Sequence, residues 1–164
     1  MIKRPEVYKN FPLRIVLYRA PLLVMTLVVG GIVSAELGKI GLIFFLLYTI
    51  SAVLWTMKHA CRNCAYHGKR CDLGVSLVAS IIHREKGNTK LFHDNVVIAL
   101  WLLLIMLIIP LFLGIARMII SFDYIILYWI IGYVLMVAAV ILTTILSCPH
   151  CAMRAVCPLS FYKH

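Results

Sequence analysis

Every cysteine in the chain belongs to one of two groups of three. The first runs Cys61-Arg62-Asn63-Cys64-Ala65 and closes at Cys71-Asp72-Leu73-Gly74. The second runs Cys148-Pro149-His150-Cys151-Ala152 and closes at Cys157-Pro158-Leu159-Ser160. Both follow the pattern C-x2-C-A and then C-x-L-small, with an inner gap of six residues in the first and five in the second. Thiols spaced C-x2-C can turn onto one ion, and a third cysteine a short turn later adds a further ligand. Zinc asks for four ligands, which the first group offers as Cys61, Cys64, His67 and Cys71. The second offers Cys148, Cys151 and Cys157, with His150 set between two ligands. Lys58, Arg62, Lys69 and Arg70 beside the first group and Arg154 in the second are expected to lower thiol pKa values and favour thiolate. The blander alternative is a set of unmetallated thiols at a membrane surface. Scattered cysteines would not group this way, so metal ligation by all six, with His67, is the stronger expectation.

Two short resemblances bear on which chemistry the sulfurs do. Cys61-x2-Cys64-x2-His67-x3-Cys71 is similar to the bacterial ferredoxin run C-x2-C-x2-C-x3-C-P, with His67 where the third cysteine would stand. In the second group proline follows Cys157, as in ferredoxins, but the run is one residue short and Arg154 takes the third ligand's place. The resemblance implies an iron–sulfur cluster, and the ferredoxin habit of one cysteine serving the other cluster implies that Cys71 and Cys157 cross between the halves. Cys148-Pro-His-Cys151 resembles the redox motif of thioredoxin-type disulfide enzymes, which place it at a helix N-terminus where the dipole stabilises thiolate. Zinc, an iron–sulfur cluster and working thiols all remain open at this level.

The elements that must position these residues are membrane spans. Of the 164 residues 63% are hydrophobic and 13% charged, and the mean hydropathy is +1.00. A soluble domain of this size needs far more charge to coat its surface. Four apolar runs are expected to cross the bilayer: about Ala20–Ala35, Ile40–Met57, Asn95–Ala116 with Pro110 inside it, and Tyr124–Leu146. Only Leu37, Gly38 and Lys39 separate Glu36 from the second run, so the first two form a tight hairpin. Residues Arg117 to Asp123 are expected to be a turn. Leu22–Val33 also has the character of a signal-peptide core with Val33-Ser34-Ala35 as its cleavage site, but the long preceding segment and the tight hairpin favour an uncleaved helix.

The expected fold is an all-α membrane protein, a four-transmembrane-helix bundle of two tandem helical hairpins, each followed by a cytoplasmic cysteine-rich segment. Its parts are an interfacial segment (1–19), a first hairpin (20–57), a cysteine-rich loop with an amphipathic helix (58–94), a second hairpin (95–146) and a cysteine-rich tail (147–164). Arg14 and Arg19 are expected to snorkel to the headgroups. After Cys71 the spacing of Leu73, Leu77, Val78, Ile81 and Ile82 predicts a short helix on the membrane surface or packed as a lid over the cysteines. Two halves entering from the same side would be related by an axis along the membrane normal, which brings their cysteine groups side by side.

Orientation follows from the 16 lysines and arginines. All but Lys39 and Arg117 lie in the N-terminal segment, the 58–94 loop or the tail. The positive-inside rule places those three in the cytoplasm, so the expected location is the inner (plasma) membrane, multi-pass, with both termini cytoplasmic. The net charge of +10 therefore speaks of topology, and nucleic acid is not an expected partner. The bilayer is, together with a redox or membrane-protein partner. Trp55 and Trp101 would lie near the cytoplasmic interface, and Phe122, Tyr124, Tyr128 and Trp129 near the outer one.

No charged residue is expected deep in a span, which argues against an ion or proton pathway. No histidine falls within one either, which argues against a haem between the helices. His59 and His93, at span ends, are expected to be polar end-residues. The absence of a phosphate loop, GxSxG, HExxH or paired carboxylates leaves hydrolysis without candidates. Three functions follow: a membrane-anchored electron-transfer subunit with a cysteine-ligated metal site, a zinc-stabilised interaction subunit, and a protein of soft-metal handling or thiol–disulfide exchange.

Overall fold

The computed structural model describes residues 7–121, 124–155 and 157. The described chain is all-helical, with five α-helices: α1 (Leu13–Ala35), α2 (Lys39–Thr56), α3 (Val75–Ile82), α4 (Phe92–Ser121) and α5 (Tyr124–Ser147). Four of them, α1, α2, α4 and α5, are long and apolar enough to cross a membrane. Most of their large side chains face outward: Ile40, Phe112, Tyr124 and Leu135 are all exposed. In water that surface would be untenable, and in lipid it is the expected exterior.

The packing is asymmetric. Helices α1 and α4 contact each other and both flanking helices, whereas α2 and α5 do not meet. Without a hydrophobic drive between helices in lipid, small residues must let the backbones approach. Gly30 does this for all four: a Cβ there would lie 3.1 Å from Tyr133, 3.2 Å from Phe45 and 3.2 Å from Pro110. Gly114 performs the same service in α4, where a Cβ would come within 2.8 Å of Val33. Around this crossing Val33, Phe45, Met106, Ile126 and Tyr133 are buried. The Tyr133 hydroxyl reaches the Leu107 carbonyl at 3.1 Å.

The α1–α2 connection is tight, as expected. Gly38 takes φ +92, a conformation suited to glycine, and its N–H closes the turn on the Ala35 carbonyl at 2.8 Å. Other expectations need correction. Helix α1 starts at Leu13 instead of Ala20 and runs through Pro21. The segment from Arg117, expected as a turn, stays helical to Ser121. Phe122 and Asp123 lie outside the described residues. Arg14 is exposed but Arg19 is 1% exposed, inside the apolar helix, so it does not snorkel. Arg19 lies toward the cysteine end of the bundle, beside Ser147 at the end of α5 and Asp72 after Cys71.

Helix α3 forms where the periodicity placed it. Its buried residues are the small Ser76 and Ala79. Leu77, Val78, Ile81 and Ile82 are exposed, so its apolar stripe faces away from the protein.

Candidate functional site: a cluster of six thiols

The site grows out of helix ends. Helix α2 passes into a widened π-type turn, Met57–Cys61, and α5 into a short 3-10 turn, Cys148–His150. Each delivers the first cysteine of its group. From there the two segments share a hydrogen-bond pattern. Cys64 N–H donates to the Cys61 carbonyl at 3.3 Å and Cys151 N–H to the Cys148 carbonyl at 3.1 Å. The next turns repeat: His67 N–H to the Cys64 carbonyl at 3.1 Å, and Arg154 N–H to the Cys151 carbonyl at 3.2 Å. The likeness extends to sulfur. Nearby peptide N–H groups favour thiolate at both second cysteines, from Tyr66 and Ala65 at Cys64 and from Met153 at Cys151. A peptide N–H directed at sulfur favours the thiolate form and thiolate ligation. Ser76 N–H adds a donor to Cys71 Sγ at 3.3 Å.

These turns are held together from outside. The Tyr66 hydroxyl donates to the Tyr8 carbonyl at 2.7 Å and accepts from Ala152 N–H at 2.9 Å. Residues 7–12 form a strap between the groups, with Tyr8 N–H on the His150 carbonyl at 3.0 Å and Phe11 N–H on the Arg70 carbonyl at 3.0 Å. Tyr8 stacks on the His150 ring at 4.8 Å, and Phe11 lies 5.4 Å from Tyr66. The N-terminal segment, the loop after α2 and the tail after α5 therefore meet at one end of the bundle.

The six thiols are all free and all partly buried. Cys61, Cys64 and Cys71 lie within electrostatic reach of one another. So do Cys148, Cys151 and Cys157. Across the groups, Cys151 lies within electrostatic reach of Cys64, and this is the electrostatic link between them. His67 stands apart in one respect: both its ring nitrogens are buried and have no hydrogen-bond partner. A buried imidazole without a partner is costly unless something accepts it.

Burial, not basic neighbours, governs the Cys64 and Cys151 thiols. Desolvation raises the Cys64 thiol above its ordinary range, against the N–H groups of Tyr66 and Ala65 and a weaker pull from Lys86. Desolvation likewise pushes Cys151 up to about 11. The expected lowering by Lys58, Arg62, Lys69, Arg70 and Arg154 is therefore overturned at these two sulfurs, because the desolvation of partly buried thiols outweighs the pull of hydrated surface cations. Such thiols stay protonated at neutral pH and become thiolates only where a cation displaces the proton.

By donor type, cysteine and histidine are the ligands that thiophilic ions take. Among the described residues no three Cys, His, Asp or Glu side chains converge closely enough to hold a metal ion. His59 is placed differently, stacked on Trp55 at 4.7 Å. Lys58, His59 and Arg62 line a separate open polar cavity of about 550 Å³. Arg19 is the site residue that composition could not reveal: it lies within electrostatic reach of both Cys71 and Cys148. Comparison with known protein families, with curated proteins and with solved structures finds no match for this chain.

Proposed function

We propose that this is a multi-pass membrane protein carrying one cysteine-ligated metal centre, shared between its two halves, that passes electrons at the membrane edge. The observation behind it is the pairing of Cys64 and Cys151, equivalent residues of two like-built turns within electrostatic reach of each other. The same likeness supports two tandem hairpins, each ending in a cysteine segment. Cys61, Cys64, Cys148 and Cys151 are the core ligands, with Cys71, Cys157 and His67 in reserve. N–H groups aimed at sulfur are a means of tuning the potential of an iron–sulfur cluster, and partial exposure gives a partner access. The end of the bundle that carries the thiols holds most of the basic residues, which by the positive-inside rule supports a cytoplasmic side at the inner membrane.

A second reading has its own support. Tyr66 ties strap, loop and tail into one knot around the thiols, which suits a zinc ion that pins an interaction surface. Thiol–disulfide exchange is the least supported, because it needs thiolate near neutral pH and burial works against that at Cys64 and Cys151. Anaerobic purification with metal analysis and an absorption spectrum separates the three. Stoichiometric iron with a broad visible band supports the electron carrier. Colourless protein with zinc supports the pin. Metal-free protein with a reversible Cys148–Cys151 disulfide overturns the metal centre.

A further inference from the structure

The bulkiest fully buried side chain among the described residues is a cation. Arg19, on α1, is 1% exposed. Its Nη1 pairs with Asp72 Oδ2 and donates to Ser147 Oγ at 3.1 Å, and its Nη2 donates to Thr144 Oγ1 at 2.7 Å. An ion buried in an apolar bundle is an expensive way to hold helices together, since apolar packing of the same volume does as well or better. Its position explains the expense. Asp72 directly follows Cys71, and Ser147 directly precedes Cys148. One guanidinium therefore grips the residue beside the last thiol of the first group and the residue beside the first thiol of the second. A planar fork of fixed donors can hold two such points at a set distance and angle, which a flexible ammonium cannot.

We propose that Arg19 is the positioning residue of the thiol centre: it locks the segment of Cys71 to the segment of Cys148, and so sets Cys64 against Cys151. Thr144 and Ser147 are the α5 half of the lock and Asp72 the loop half. Helix α1 carries no cysteine, yet it decides whether the two groups meet. A centre of several thiolates around a divalent ion carries net negative charge, and a buried cation within reach of Cys71 and Cys148 offsets it. This part rests on the shared centre proposed above, and the test separates the two.

The full chain is prepared in detergent with Cys61, Cys71, Cys148 and Cys157 replaced by serine, leaving Cys64 and Cys151. A short bis-thiol-reactive cross-linker reports their proximity without any metal. Arg19→Gln is expected to slow cross-linking at least tenfold while the helical circular dichroism is kept. Arg19→Lys should recover only part of the rate, because it restores the charge but not the fork. Should Arg19→Gln fail to fold, the pair Thr144→Val with Ser147→Ala decides, since it frees α5 and leaves the Asp72 pair intact; a several-fold slowing is expected. Unchanged rates in these variants overturn the proposal. In parallel the chain with all six cysteines is titrated with Co2+ alone. Wild type should develop sulfur-to-cobalt charge-transfer absorption, and Arg19→Gln should bind at least tenfold more weakly. If wild type takes up no Co2+ and the cross-linking still depends on Arg19, the metal centre fails and the lock stands. If wild type binds Co2+ and Arg19→Gln binds it equally with unchanged cross-linking, the lock fails and the centre stands.

Discussion

Replacing Tyr66 by phenylalanine removes one oxygen and two hydrogen bonds. The ring stays, so packing against Phe11, whose ring centre lies 5.4 Å away, is kept. What is lost is the 2.7 Å bond to the Tyr8 carbonyl and the 2.9 Å bond from Ala152 N–H. Both are partly buried, so each stranded partner costs about 1 kcal/mol and the two together about 2 kcal/mol. The cost falls on a local event, the lifting of the tail that holds Cys151 away from its neighbours. At about 1.4 kcal/mol per factor of ten, the open population rises roughly 30-fold. Alkylation of metal-free protein at neutral pH, read by mass spectrometry at Cys151, measures that population when reclosing is fast. The expected result is a rate increase of that order at Cys151. A rate within twofold of wild type would refute the assignment of Tyr66 as the tie between loop and tail.

Other outcomes follow from single contacts. Gly30→Val puts methyl groups where a Cβ alone already lies 3.1 Å from Tyr133; the overpacking should cost about 1–3 kcal/mol in detergent-denaturation assays, and an unchanged midpoint would remove Gly30 from the helix crossing. In metal-free protein the Cys151 thiol, raised from 9.0 to about 11 by burial, should show an alkylation midpoint near the higher value. Because the folded thiol holds its proton more tightly than the unfolded one, its contribution to stability is complete below pH 9 and lost as pH climbs through 11. A midpoint at or below 9 would contradict the burial. For α3, a fluorophore at Ile81→Cys in a chain with the native cysteines as serine should be quenched by brominated lipids, and one at Lys86→Cys should not. Equal quenching at both would deny that the exposed Leu77, Val78, Ile81 and Ile82 face lipid.

The spans were legible because length and apolarity leave a chain few choices in a bilayer, and Leu37-Gly38-Lys39 is too short for anything but a tight turn. The stripe of α3 was legible from its spacing. The proximity of the two groups at one end of the bundle was not, since two copies of C-x2-C can lie apart or together and only the strap of residues 7–12 and the Tyr66 hydroxyl join their segments. Arg19 was misread for a related reason. An arginine six residues into an apolar helix near the chain's start resembles a snorkelling end-residue, and nothing local marks Asp72, Thr144 and Ser147 as its partners. The thiol acidities were misread because nearby lysines and arginines can be counted in a sequence, whereas desolvation belongs to the fold.

Metal content of two single variants tests the shared centre most directly. Cys64→Ser and Cys151→Ser, purified anaerobically beside wild type, each lose one thiol, from the first and second cysteine groups respectively. If both segments serve one centre, each variant should lose all of the bound metal or its characteristic absorption. If each variant instead keeps half of the wild-type metal, the two groups bind separately and the account of a single centre is wrong.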